Sequence, residues 1–306
     1  MTSAPVVVIG EALIDLTPGT GGGLQPHVGG GPFNVARAIG RMGRAVAFVG
    51  GVSTDRFGAS LAAALEADGV SLHPGLRDPR LTALALAELD GQGQAAYRFY
   101  VAGTATEGLT ADLALACAPA DVSAIYAGGL GLVLEPLAAA SEALVASRAG
   151  RALVFVDPNV RPAGIPDMAA FRARLNRVLA STEVVKVSDA DLEILAPGAP
   201  AESAAEALLG QGPKLVLLTL GGKGAVAFGA FGRIAVSAPP VRVVDTIGAG
   251  DSFSGAWLAH WLAAGADLAD ARAVSATTRY AVRAAAFSCE RAGAAPLTAD
   301  ELAARD

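Results

Sequence analysis

The residues richest in chemical possibility form one run, Val243-Val-Asp-Thr-Ile-Gly-Ala-Gly-Asp-Ser-Phe253. Its pattern predicts a strand that ends before a tight turn at Gly248 and Gly250. A helix then follows, on which Trp257, Leu258, Trp261 and Leu262 recur at helical spacing. Gly248, Ala249, Gly250 and Asp251 would lie at that helix's N-terminus, where free backbone N–H groups and the positive dipole end hold an anion. A carboxylate in the first turn can simply cap the helix. Beside a phosphate it would repel the ligand, so Asp251 makes most sense facing a hydroxyl that is being phosphorylated. A second run, Gly29-Gly-Gly-Pro-Phe-Asn34, can present backbone N–H groups and an amide to a polyhydroxylated ligand, or be a glycine turn capped by Asn34.

Other familiar chemistries lack their residues. His27, His73 and His260 are too few and too scattered for a zinc-bound water, and there is no GxSxG nucleophile elbow. Gly222-Lys-Gly224 lacks the Ser or Thr of a phosphate-binding P-loop and runs into Ala225-Val-Ala-Phe228, which reads as a strand. Cys117 and Cys289 form neither a disulfide framework nor a structural zinc pattern, and fit a reducing compartment.

The elements that must position these residues alternate. Strands are expected at 6–9, 45–49, 125–127, 153–156, 184–187 and 215–220, with helices at 34–42, 57–68, 135–148, 169–179 and 203–209. This βαβα order implies a mostly parallel sheet with helices on both faces. Two stretches, 12–28 and 81–100, read instead as strands joined by turns, a small β insertion outside the main sheet. With 306 residues and no internal repeat or linker, a single domain with a β appendage is expected.

Composition removes further classes. A net charge of −6 with 23 basic residues gives no footprint for nucleic acid. Mean hydropathy is +0.46, yet the apolar runs are interrupted well short of the roughly 18 to 20 residues a spanning helix needs. The N-terminal stretch has no basic start, too short an apolar run and an early acid, Glu11, so a cytoplasmic protein is expected.

Asp245-Thr-Ile-Gly-Ala-Gly-Asp251 and Gly30-Gly-Pro-Phe-Asn34 together resemble the DTxGAGD and GGxxxN signatures of the PfkB (ribokinase-like) sugar-kinase family. Gly10-Glu-Ala-Leu-Ile-Asp15, Asp157-Pro-Asn-Val-Arg161, Thr219-Leu-Gly-Gly-Lys-Gly224 and Gly293-Ala294 extend the resemblance over nearly the whole chain, and the set looks like the fructokinase branch. It implies one doubly wound α/β domain over 1–306, with a β lid from approximately 12–28 and 81–104, and transfer of the ATP γ-phosphoryl group to a sugar hydroxyl. Asp251 would be the base, and Gly248, Ala249 and Gly250 the anion hole. Asp15, Gly30, Gly31, Asn34, Tyr100 and Arg161 would meet the sugar. Lys186, Ser188, Thr219, Gly221, Gly224 and Gly250 would line the nucleotide side. Asp245 and the backbone of Ile247 resemble a monovalent-cation site of the kind that takes K+.

Mg2+ would be held chiefly by phosphates and water with one or two carboxylates. The family's NxxE motif appears here as Ser188-Asp-Ala-Asp191, which makes Asp191 the candidate metal carboxylate. Fructose is the expected acceptor, and a homodimer through the lid the assembly the resemblance allows. Within the class, 2-keto-3-deoxygluconate kinase and a ribose or nucleoside kinase are the alternatives. The related sugar-acid kinases carry an arginine after a tyrosine pair, where this chain has Phe99-Tyr-Val101. From other classes, the intact Asp251 and glycines argue against a sugar-binding protein with an inactive kinase fold. The absence of GxGxxG after the first strand argues against a dinucleotide-dependent oxidoreductase.

Overall fold

Residues 4–19, 23–89 and 95–305 are described by a computed structural model of the chain. In chain order the strands are β1 (Val6–Ile9), β2 (Leu13–Pro18), β3 (Leu24–Gly29), β4 (Val46–Val49), β5 (Val52–Ser53), β6 (Val70–Leu72), β7 (Arg77–Asp78), β8 (Ala83–Leu89), β9 (Ala95–Tyr100), β10 (Ala124–Gly128), β11 (Leu153–Asp157), β12 (Val184–Ser188), β13 (Leu215–Thr219), β14 (Ala225–Gly229) and β15 (Gly232–Val236). The helices are α1 (Gly31–Arg41), α2 (Arg56–Ala67), α3 (Ala111–Cys117), α4 (Leu137–Arg148), α5 (Met168–Leu179), α6 (Asp189–Leu195), α7 (Ala201–Ala207), α8 (Ala249–Ala264), α9 (Ala271–Ser288) and α10 (Ala299–Ala303).

Among the described residues the main sheet has nine strands in the order β15-β14-β13-β12-β11-β10-β1-β4-β6. It is parallel from β13 to β6, and β14 and β15 add an antiparallel edge. β1 and β4, near its middle, read as unbroken apolar runs because both faces are covered there. On β1, Val7 and Ile9 pack into one core, which takes residues from α3 to α7. Val6 and Val8 pack into the other, under α1, α2, α8 and α9. Burying each such side chain contributes about 1.5 to 3 kcal/mol, which explains why the βαβα alternation could be read from the chain.

α8 is apolar on almost every side because it lies inside the second core. Trp257 is fully buried, with its ring 5.0 Å from Trp261 and 5.7 Å from Phe155. Gly255 lets α8 and α1 touch: a Cβ there would come within 2.5 Å of Ala38 Cβ and 3.1 Å of the Val35 carbonyl. Any side chain at position 255 would force the two helices apart.

The two β insertions form a separate four-stranded sheet in the order β3-β2-β8-β9, with β2 and β8 parallel and the outer pairs antiparallel. Parts of the expected lid at 20–22 and 90–94 lie outside the described residues. The strand expected before Gly248 is not formed. Val243 and Val244 are each 59% exposed and meet no sheet edge, and the loop is tied instead by the N–H groups of Val244 and Asp245, which donate to the Cys289 carbonyl at 2.8 and 3.1 Å. Among the described residues no helix is long and apolar enough to cross a membrane.

Candidate active site

A cleft of about 590 Å3 opens at the carboxyl ends of the parallel strands. The chain runs from β1 out to β4 and β6, then returns to place β10 on the other side of β1. The cleft therefore includes the point where strand order reverses, between Glu11 after β1 and Gly129 after β10, which is where open α/β sheets bind ligands. The lid contributes Leu13, Asp15, Tyr97 and Phe99 to its wall.

α8 starts at Gly248, whose left-handed φ of 74° turns the chain into the helix. A Cβ there would stand 2.7 Å from Ala294 Cβ, so the loop also packs too closely for a side chain. The N–H groups of Gly248 to Asp251 are those that helix geometry leaves without intrahelical partners; Ala249 N–H reaches back to the Thr246 carbonyl at a long 3.3 Å.

Asp251 is 9% exposed, and its Oδ2 accepts from Asn34 Nδ2 at 2.9 Å across 217 residues of sequence. Burial pushes its carboxyl up to about 7; the Asn34 hydrogen bond and the Lys186 and Arg161 charges oppose that rise, and Asp157 adds to it. A carboxyl poised near neutrality is well matched to taking a hydroxyl proton. Asn34 Oδ1 is buried with no hydrogen-bond partner among the described residues, an acceptor suited to a ligand hydroxyl.

Lys186, on β12, places Nζ 3.0 Å from Asp157 Oδ2, with the pair 6% and 0% exposed. Burial disfavours its charge, but Asp157, Asp191 and Asp251 outweigh it and hold the ammonium above its ordinary value. Nζ lies 3.2 Å from where a Cβ on Gly250 would sit, which puts a permanent positive charge beside the N-terminus of α8. An anion held there meets backbone donors and an ammonium together.

Most of the residues expected from sequence are brought together. Gly30, Gly31 and Asn34 open α1 and line the cleft with Asp15, Arg161, Ser188, Thr219, Gly221, Gly224 and Ile247. Burial pushes Asp15 up to about 6. Asp245 Oδ1 accepts from Ile247 N–H at 3.0 Å and Oδ2 from Gly293 N–H at 2.8 Å, so its carboxylate braces two loops beside the α8 turn.

Two placements differ from expectation. Tyr100 is 50% exposed and does not line the cleft; β9 turns Tyr97 and Phe99 to the inside, and strand alternation sends Tyr100 to the other face. Asp191 is a helix cap and not a free ligand. Its Oδ2 accepts from Ser188 N–H at 2.8 Å and Ser188 Oγ at 2.6 Å, and its Oδ1 from Val160 N–H at 2.7 Å. The cleft wall there is Ser188 and Asp189.

Sequence reasoning gave no role to Tyr97, or to Asp157 and Asn159 of the Asp157-to-Arg161 run. Asn159 is the one non-glycine residue with positive φ among the described residues, at 42°, and its Nδ2 lies 3.0 Å from where a Cβ on Gly31 would be. Such strain costs about 1 to 3 kcal/mol and concentrates at functional sites. Among the described residues no group of three or more His, Cys, Asp or Glu is arranged to hold a metal. The cradle fits a hard cation carried on nucleotide phosphates, which needs only one or two carboxylates from the protein.

Residues 3–300 match the family described as pfkB family carbohydrate kinase. The chain is 37% identical over 259 residues to a fructokinase of Rhizobium leguminosarum bv. trifolii, covering 83% of this chain and 78% of that protein. It is 32% identical over 315 residues to fructokinase-2 of Solanum habrochaites, with 96% and 93% covered. Its structure is similar to that of a Vibrio cholerae O395 fructokinase double mutant with fructose, ADP and potassium ion bound, at a TM-score of 0.88 and 26% identity, covering 99% and 98% of the two chains.

Proposed function

From the premise that this chain belongs to the pfkB family of carbohydrate kinases, we propose that it is a fructokinase, which transfers the γ-phosphoryl group of ATP to a hydroxyl of fructose. The observation that carries this is the buried Asp251 at the N-terminus of α8, aligned by Asn34 and flanked by the Lys186 ammonium. Phosphoryl transfer through a loose transition state needs little covalent help; positioning and charge stabilisation supply most of the rate. Asn34 and Asp15 accept the sugar's hydroxyls and orient one of them toward Asp251. Asp251 takes the proton as the new O–P bond forms. The N–H groups of Gly248, Ala249 and Gly250, with Lys186, hold the negative charge on the phosphoryl oxygens. Thr219, Gly221, Gly224 and Ser188 form the nucleotide side of the cleft. Mg2+ bound with the nucleotide would neutralise its phosphates, with Asp189 as the carboxylate on the cleft wall, and K+ would sit by Asp245 and the Ile247 backbone.

The electrostatics favour a neutral ketose over a sugar acid. The sugar end holds the carboxyls of Asp15 and Asp251, while Lys186 is paired with Asp157. Among the described residues that line the cleft, Arg161 is the cation left for a substrate carboxylate, and binding one away from water needs a dedicated partner. Val101 packs against the lid's apolar cluster with Leu13 and Leu130 instead of supplying a charge. Leu24, Leu81 and Tyr100, 54%, 70% and 50% exposed on or beside the lid, support pairing of two lids in a homodimer. The cytoplasm, where ATP is made available, is the compartment this chemistry requires.

The test is kcat/KM from ADP release over a panel of sugars. Fructose is expected to exceed 2-keto-3-deoxygluconate and ribose, and Val101→Arg to narrow the gap to the sugar acid. A tenfold or greater preference for the acid, about 1.4 kcal/mol in transition-state binding, overturns the fructose assignment.

A further inference from the structure

Glu11 has no part in the transfer just described, although it lines the same cleft. It follows β1 directly and is 4% exposed. Its Oε2 accepts from Gly131 N–H at 3.0 Å, tying the end of β1 to the turn after β10. Its Oε1 lies between two glycines: 2.7 Å from where a Cβ on Gly129 would sit, and 3.8 Å from that position on Gly31, which is itself 3.6 Å from Asp251 Oδ1. At Gly129 a Cβ would displace the Glu11 carboxyl, whereas the Gly31 position lies in ordinary contact with both carboxyls.

The charge balance around Glu11 is one-sided. Among the described residues it forms no ion pair with Lys, Arg or His. The titratable groups that face it are Asp251 from α8 and Tyr126 from β10. The charges of Asp157, Lys186 and Arg161 stand around Asp251. An ionised Glu11 would be a charge out of water, beside a second carboxylate, with only backbone N–H groups to offset it.

We propose that Glu11 is a positioning residue of the phosphoryl transfer that works as a neutral acid, pinning the Gly129–Gly131 turn to β1 and keeping a further negative charge from the side of Asp251. The inference rests on the kinase reading of Asp251. Burial, the largest influence, pushes Glu11 up to about 8, and Asp251 stands at about 7. Ionisation of Glu11 adds a negative charge beside Asp251 and opposes the approach of the phosphoryl oxygens.

The test is the pH profile of kcat/KM for fructose in the wild type, Glu11→Gln and Glu11→Ala. Gln keeps an oxygen for Gly131 N–H but cannot ionise. The wild-type profile should fall on the alkaline side. In Glu11→Gln the ratio of activity at about pH 9 to that at about pH 7 should rise by about fivefold or more, and this variant should be about tenfold or more as active as Glu11→Ala at the optimum. An unchanged ratio, or Gln no better than Ala, overturns the proposal. If Glu11→Gln fails to fold, a wild-type profile with no alkaline fall does the same. Should the wild type phosphorylate no sugar, the kinase reading has failed, and infrared spectra across pH then decide the state of Glu11. A buried neutral carboxyl band at about pH 7, absent from Glu11→Gln, supports the proposal; a band common to both proteins overturns it.

Discussion

Asp251→Asn should move activity and stability in opposite directions, and the structure gives a size to each. The amide keeps the shape of the carboxylate and an oxygen for Asn34 Nδ2, but it cannot accept the acceptor's proton. Loss of a general base costs about 10² to 10⁴ in kcat. Stability runs the other way because burial lifts Asp251 from 3.8 to about 7. A carboxyl with a raised folded pKa binds its proton more tightly in the folded protein than in the unfolded chain, so folding loses free energy as pH climbs from about 4 to about 7 and stays penalised above that. Three pKa units at 1.36 kcal/mol each put the penalty at roughly 4 kcal/mol, an upper bound because a real site relaxes around the charge. Asn carries no such penalty. Thermal or urea unfolding should therefore find Asp251→Asn more stable than wild type by up to that amount at about pH 8, with the gain shrinking toward about pH 4. ATP affinity, measured by calorimetry, should change little. A variant that keeps near wild-type kcat refutes the base assignment, and one that is equally or less stable at about pH 8 refutes the desolvation argument, whatever its activity.

Removing the sugar's hydroxyl partners should act on sugar use more than on nucleotide binding: Asn34→Ala and Asp15→Asn are each expected to cost about 1 to 3 kcal/mol in kcat/KM for fructose, with ATP affinity measured in parallel. Because burial holds Asp15 at about 6 and only its ionised form accepts from two hydroxyls, sugar affinity should strengthen as pH rises through that value; a flat profile between about pH 5 and 7 would contradict this. Gly248→Ala should lower both stability and kcat, since its φ of 74° and the 2.7 Å approach to Ala294 leave no room for a methyl group. A backbone cost of about 1 to 2 kcal/mol is expected, and full activity in that variant would show that the α8 turn does not need its present shape.

What could be read from the chain was what is written contiguously. Gly248 to Asp251 and Gly30 to Asn34 each carry turn, helix start and polar group within a few residues, and both runs open helices onto one cleft. What could not be read depends on long-range geometry. Tyr97 and Tyr100 are three apart on a strand, so opposite faces receive them, and only the pairing of β9 with β8 decides which face meets the cleft. Val243 and Val244 have strand propensity but no neighbouring edge, and propensity yields to context. Asp191 looks like a metal ligand beside Ser188 until the capping box and the Val160 N–H are seen to occupy its oxygens. Asn159 stands in the Asp157-to-Arg161 run, but nothing in that run signals its backbone, because φ 42° is a property of the folded chain.

The contact between Gly255 and Ala38 has a consequence for how such an enzyme can change over evolutionary time. It locks the helix bearing Asp251 against the helix bearing Asn34, so the base and its aligning amide travel as one rigid unit inside the core. The lid residues that line the cleft, Leu13, Asp15, Tyr97 and Phe99, hang on a different sheet with its own small apolar cluster. Mutations can therefore accumulate in the lid, and acceptor preference can drift, without disturbing the reacting geometry beneath it. The joint between the two sheets is the short step from Glu11 through Ala12 to Leu13.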